Sequence, residues 1–107
     1  MVGDASMFPQ VLFNDLSPEE AERWAKEVSH TSAALFAAPS GYEPWANGIP
    51  CGYIFCEDDN ALPLSYQQGM TEQLQLGPDS KTVSLKADHC PFVSRYEEVL
   101  SALRSMI

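Results

Sequence analysis

Cys51-Gly52-Tyr53-Ile54-Phe55-Cys56 is a short, nearly continuous apolar run, and it constrains the fold more than any other stretch. Such a run reads as a strand buried on both faces, the usual state of a strand in a parallel sheet. The residues C-terminal to it support that reading. Pro63 opens a helix over about residues 64–76, which stops near Gly77-Pro78. A second strand covers about 81–86, with Val83 and Leu85 alternating against Ser84 and Lys86. Ser94-x-x-Glu97 has the form of a capping box, and Tyr96, Val99, Leu100 and Leu103 give the next helix an apolar face. The order is strand, helix, strand, helix. Two strands joined through a helix of this length pair in parallel, with a right-handed crossover. The fold class is α/β.

Residues 1–48 have a different rhythm, helical in character, with Tyr42 to Gly48 a turn-rich connector. Ser17-Pro18-Glu19-Glu20 is a helix start: Ser17 caps, Pro18 suits the first position and Glu20 closes a capping box. Ala21, Trp24, Ala25 and Val28 then recur at helical spacing. A second helix is expected over about 31–38, ended by Pro39-Ser40-Gly41. Trp24, Phe36 and Trp45 read as packing anchors. The division is a helical segment at 1–48 and a strand-helix-strand-helix unit at 49–107.

Charge and cysteines narrow the function classes. Fifteen acidic residues against six basic give a net charge of -9. Phosphate backbones and anionic lipid surfaces repel such a chain, so nucleic acid and membrane are set aside as partners. No apolar run approaches the roughly 18 residues of a membrane span, and the N-terminus has no secretory pattern. Cys51, Cys56 and Cys90 are odd in number and lack a C-x-x-C spacing. They read as free, buried thiols in a reducing compartment, hence a cytoplasmic location.

The loops carry the chemistry. In an open parallel sheet the functional crevice lies beyond the carboxyl ends of the strands. The loop after the first strand is Glu57-Asp58-Asp59-Asn60-Ala61-Leu62, and the loop after the second is Ala87-Asp88-His89-Cys90-Pro91. Neighbouring parallel strands set these loops side by side. A carboxylate from one can then bond one imidazole nitrogen of the other, leaving the second nitrogen free to take a proton. The order, acid then histidine, is that of an α/β-hydrolase after its serine. The blander readings are a solvated acidic loop and a turn histidine. Asp58, Asp59 and His89 are also donor types that bind divalent ions, but they do not show ligand spacing on one rigid element, so no metal or cofactor is expected. The other histidine, His30, reads as a structural or surface residue at a helix junction.

Four stretches resemble a known family: FNDLSPEEAERWA (13–25), SAALF (32–36), YIFCEDDNALPLSYQQGM (53–70) and ADHCPFVSRYEEV (87–99). Residues 10–107 are similar to the C-terminal part of an α/β-hydrolase of the hydroxynitrile lyase and plant methylesterase-like group, fungal and bacterial members in particular. The first stretch resembles the family's cap segment. The third resembles its Y-I-x-C-x-x-D-x-x-I/L-P-x-x-x-Q block, whose aspartate is the triad acid; that places the acid on Asp59. The fourth resembles its D/S-H-S-P-F-L-S-x-P-E block, whose histidine is the triad base; that places the base on His89. The resemblance implies the end of an α/β-hydrolase core, two parallel strands with flanking helices, preceded by a helical cap segment. It implies a serine esterase acting on an ester, lactone or thioester of a small apolar molecule, in a secondary-metabolite setting.

The departures are specific. Cys90 stands where the family often has Ser, Tyr96 where it often has Pro, and His30-Thr31 where Pro-Gln is usual. No G-x-S-x-G nucleophile motif and no HGxxxG-type oxyanion loop occurs in the 107 residues. On the resemblance, the part that carries both precedes residue 1, holds most of the sheet and is longer than this chain, which then reads as truncated. Two functions are open. Either the chain is the tail of a serine hydrolase that takes its nucleophile from elsewhere, or it is a non-catalytic paralogue or partner domain. An in-frame G-x-S-x-G upstream of Met1 discriminates between them. An unpaired sheet edge and apolar helix faces also predict self-association or a partner chain.

Overall fold

The computed structural model describes residues 4–76 and 80–107. After a 3-10 turn at Ala5–Met7 come helices α1 (Phe8–Leu12), α2 (Pro18–Ala25) and α3 (Ala34–Ala37), then a second 3-10 turn at Pro44–Asn47. Strand β1 (Gly52–Cys56), helix α4 (Leu64–Leu74), strand β2 (Lys81–Leu85) and helices α5 (Pro91–Ser94) and α6 (Tyr96–Met106) complete the chain. β1 and β2 pair in parallel, with Gly52 opposite Lys81 and Cys56 opposite Leu85. The fold class is α/β, as a helical crossover between two strands requires.

Local chemistry explains most boundaries. Ser17 Oγ accepts from the Glu20 N–H at 3.3 Å and Pro18 takes the first position of α2. The capping box is only half made, because the Glu20 carboxylate turns to Arg23 at 2.9 Å. α2 stops at Ala25, so Val28 lies beyond it. α4 ends at Leu74 on a left-handed Gln75 (φ 50°), ahead of the expected Gly77-Pro78 stop, which lies outside the described residues.

Four expectations are corrected. The helix expected over 31–38 is a single turn: TSAALFAA is too short to offset the cost of nucleation alone, and Ala38 is extended ahead of Pro39. Trp24 and Phe36 are exposed, Phe36 at 68%. α2 packs on α1 through Ala21 and Ala25, which leaves Trp24 outside that contact, and the single turn of α3 has no buried residue. β1 is not buried on both faces; only Cys56 is, and Tyr53, Ile54 and Phe55 are half-buried. Two strands with α4 against β1 and α6 against β2 cannot enclose a strand. The Ser94 capping box does not form. Arg95 is the residue ahead of α6 and gives no side-chain cap, while Ser94 is committed elsewhere.

The buried core is small. Leu12, Phe13 and Ala21 form its centre, with Phe8, Val11, Leu16, Ala25, Ala61 and Cys90 packed around them. Ala61 and Cys90 belong to the two loops beyond β1 and β2, so α1 and α2 pack directly on those loops. The accessible surface is 7766 Å² for 11.8 kDa. A compact monomer of that mass exposes roughly 5,900 Å². The apolar side chains of α6 account for part of the surplus: Tyr96, Leu100 and Leu103 are all exposed.

Candidate active site at the strand ends

The β-ladder runs on past the strands, and this sets the site. The Glu57 N–H donates to Leu85 O at 2.9 Å, and the Asp58 N–H to Ala87 O at 3.1 Å. The two loops are thereby zipped together, and just beyond these bonds lie Asp59 and His89. Asp59 Oδ2 lies 2.9 Å from His89 Nδ1. Asp59 Oδ1 accepts from the backbone N–H groups of Ala61 (2.8 Å) and Leu62 (2.9 Å). The carboxylate thus accepts at both oxygens, so its partner Nδ1 is the protonated nitrogen of the ring. This leaves Nε2 as the basic nitrogen, on a side chain that is 40% exposed against 5% for Asp59. A buried acid orients a histidine whose ring reaches solvent. Asp58 has the opposite disposition: it is exposed and its side chain does not bond the ring.

Gln67 holds the acid loop in place. It is 1% exposed on α4. Its Oε1 accepts from Cys56 N–H (2.9 Å), and its Nε2 donates to Cys56 O (2.9 Å) and Leu62 O (2.7 Å). One side-chain amide therefore closes both ends of the loop that carries Asp59. The network also fixes which way the amide points, since a flipped group would set N–H against N–H.

The stretch before α2 clamps both loops. Asn14 Nδ2 donates to Asp58 O at 2.8 Å, and the Asp15 N–H donates to Asp88 Oδ2 at 3.0 Å. Arg95 grips the Asp15 carboxylate through two bonds, Nε at 2.7 Å and Nη2 at 3.1 Å. Asn60 Nδ2 adds a bond to Gln10 O at 2.9 Å. Sequence reasoning misses Asn14, Asp15, Gln67 and Asp88 as functional residues. All four fall inside the stretches that resemble the family; Gln67 is the closing Q of its Y-I-x-C-x-x-D-x-x-I/L-P-x-x-x-Q block and Asp88 the D/S ahead of the histidine, and that was the signal.

The cysteines are free thiols, but of the three expected to be buried only Cys56 is; Cys51 and Cys90 are half-buried. Burial, then the charges of Asp88 and Asp59, push the Cys90 thiol up to about 11 from 9.0. Cys90 is therefore a packing residue at neutral pH, although it adjoins His89. At pH 8 its thiolate fraction should be roughly 100-fold lower than in the unfolded chain. Iodoacetamide labelling with mass spectrometry checks this: Cys90 should label slowly until denaturant is added, and fast labelling of the native chain would contradict it. Among the described residues, no group of three His, Cys, Asp or Glu side chains gathers in a metal-binding arrangement. No helix there is long and apolar enough to cross a membrane.

A parallel pair of strands with an acid and a histidine at its carboxyl end is the arrangement expected of the closing portion of an α/β-hydrolase. The sequence profile of the alpha/beta hydrolase family matches residues 2–102, and the chain belongs to that family. It is similar to "Probable hydrolase R7" of Phoma sp. (strain ATCC 20986 / MF5453), at 31% identity over 96% of this chain and 43% of that protein. It is also similar to "Alpha/beta hydrolase nvfD" of Aspergillus novofumigatus (strain IBT 16806), at 28% identity over 95% of this chain and 40% of that one. The crystal structure of polyneuridine aldehyde esterase shares the fold with a TM-score of 0.77 at 22% identity, over 96% of this chain and 41% of the esterase. The chain thus spans about two fifths of the length of these relatives.

Proposed function

We propose that the chain supplies the acid and base of a serine-type ester hydrolase of the methylesterase-like group, with Asp59 orienting His89 and the serine coming from outside these 107 residues. The observation that carries this reading is the 2.9 Å contact between Asp59 Oδ2 and His89 Nδ1, on an acid that two backbone N–H groups hold still. In such an enzyme His89 Nε2 takes the serine proton as the hydroxyl attacks the carbonyl. Asp59 stabilises the imidazolium, and the proton then passes to the leaving group. The substrate class, a small apolar ester, lactone or thioester, rests on the family resemblance, as does the secondary-metabolite setting; the cytoplasmic setting rests on the free thiols.

A fluorophosphonate probe tests the reading. The 107-residue chain alone should not label, because base and orienter cannot replace a nucleophile. An upstream-extended protein carrying an in-frame G-x-S-x-G should label. Labelling of one of the serines in the 107 residues that is lost in His89→Ala would overturn it.

The large exposed surface favours a second reading, a non-catalytic partner domain. The surplus over a compact monomer, roughly 1,900 Å², is about twice the roughly 800 Å² that one partner of a standard protein interface buries. In either case the isolated chain should associate with itself or a partner. Sedimentation velocity should show a dimer or larger species, and a sharp monomer with a cooperative melt would contradict this.

A further inference from the structure

We propose that Asp88 is a positioning residue for His89, tying the histidine turn to the segment ahead of α2; this rests on the reading of His89 as the base. Asp88 is fully buried, an expensive place for a carboxylate unless its oxygens are bonded. Both are. Oδ1 accepts from the Cys90 N–H and from Ser94 Oγ, each at 3.0 Å, and Oδ2 accepts from the Asp15 N–H at 3.0 Å. His89 lies between Asp88 and Cys90, so the Oδ1 bond closes a turn around it. Ser94 extends that grip across α5, and this is why its hydroxyl is absent from the cap of α6. The Oδ2 bond reaches 73 residues back along the chain to a backbone N–H. Its owner, Asp15, is held in turn by Arg95, the neighbour of Ser94. The circuit Asp88–Asp15–Arg95 closes on the turn that carries the histidine. Asp59 fixes the ring's Nδ1; Asp88 fixes the backbone from which the ring hangs. Movement of the segment ahead of α2 is then transmitted to the imidazole without touching it.

Asp88→Asn isolates this role. The amide keeps an acceptor for Cys90 and Ser94 but sets an N–H against the Asp15 N–H, so the long-range tie is lost. The readout is the ring proton of His89 in the ¹⁵N-labelled 107-residue chain, observed by nuclear magnetic resonance in solution or in a sedimented sample spun at the magic angle. His30, the other histidine, is the internal reference. Wild type should show a downfield Nδ1 proton bonded to Asp59. In Asp88→Asn that signal should broaden or vanish, its solvent exchange rising about 10- to 100-fold, the worth of one lost charge-assisted bond. Ser94→Ala, a smaller change, should raise exchange by a smaller factor with backbone amides in place. An unchanged Nδ1 proton in a folded Asp88→Asn chain overturns the proposal, and if that variant unfolds, an unchanged proton in Ser94→Ala does so. Failure of the serine-hydrolase reading would show separately, as an extended protein that does not label although its Nδ1 proton is present.

Discussion

Replacing His89 with alanine in the extended, serine-bearing protein is expected to lower p-nitrophenyl ester turnover by about 10⁴- to 10⁶-fold, with KM changed only a few-fold. On the proposed reading the imidazole is the group that takes the serine proton at neutral pH. Without it the hydroxyl is left a weak nucleophile, and the leaving group departs without an acid. Among the described residues, the groups beside His89 offer no substitute. Asp59 is buried and engaged by Ala61 and Leu62, while the nearest thiol in sequence, Cys90, is protonated through neutral pH. Residual turnover reflects binding and oxyanion stabilisation alone, worth roughly 10³–10⁴ over water. Loss of less than tenfold would mean that the base is another residue.

Gln67→Leu is expected to destabilise the chain by about 3–5 kcal/mol, since each buried group stripped of its partner costs about 1–3 kcal/mol. Leucine fills a similar volume but leaves Cys56 N–H, Cys56 O and Leu62 O without their side-chain partner. Some of that cost is relieved where water reaches the loop. Against a typical total of about 5–15 kcal/mol, such a loss removes much of the stability. The urea midpoint measures it, with Tyr66→Ala, an exposed neighbour on α4, as the control. A change within about 0.5 kcal/mol, the range of ordinary surface substitutions, would show that the amide is dispensable.

The element order, the parallel pairing and the two loops were legible in the sequence, because each rests on a local pattern. An apolar run, a helix-starting proline and an alternating strand are readable one segment at a time. That the two loops meet came from topology, since parallel neighbours bring successive strand ends together; the choice of Asp59 among the loop's carboxylates came from the family resemblance. Gln67 and Asp88 were not legible as buried groups. A glutamine on α4 or an aspartate in a turn is written the same way whether it faces water or closes a network, and only tertiary contacts decide. Trp24 and Phe36 failed for the reverse reason. Aromatic content predicts burial only where a partner surface exists: Phe36 is 68% exposed, and Trp24, 36% exposed, is covered in part by the Arg23 guanidinium over its ring. Ser94 kept the spelling of a cap, but a buried carboxylate six residues earlier was the stronger partner for its hydroxyl.

Which carboxylate of the acidic loop orients the histidine is decided by paired substitutions in the extended protein. Turnover number should fall about 10⁴-fold in Asp59→Asn, where the amide favours the wrong imidazole tautomer. In Asp58→Asn, at the exposed neighbour, it should stay within about threefold, a change worth under about 1 kcal/mol. Equal losses in the two variants, or the larger loss at Asp58, would contradict the assignment of Asp59 as the acid.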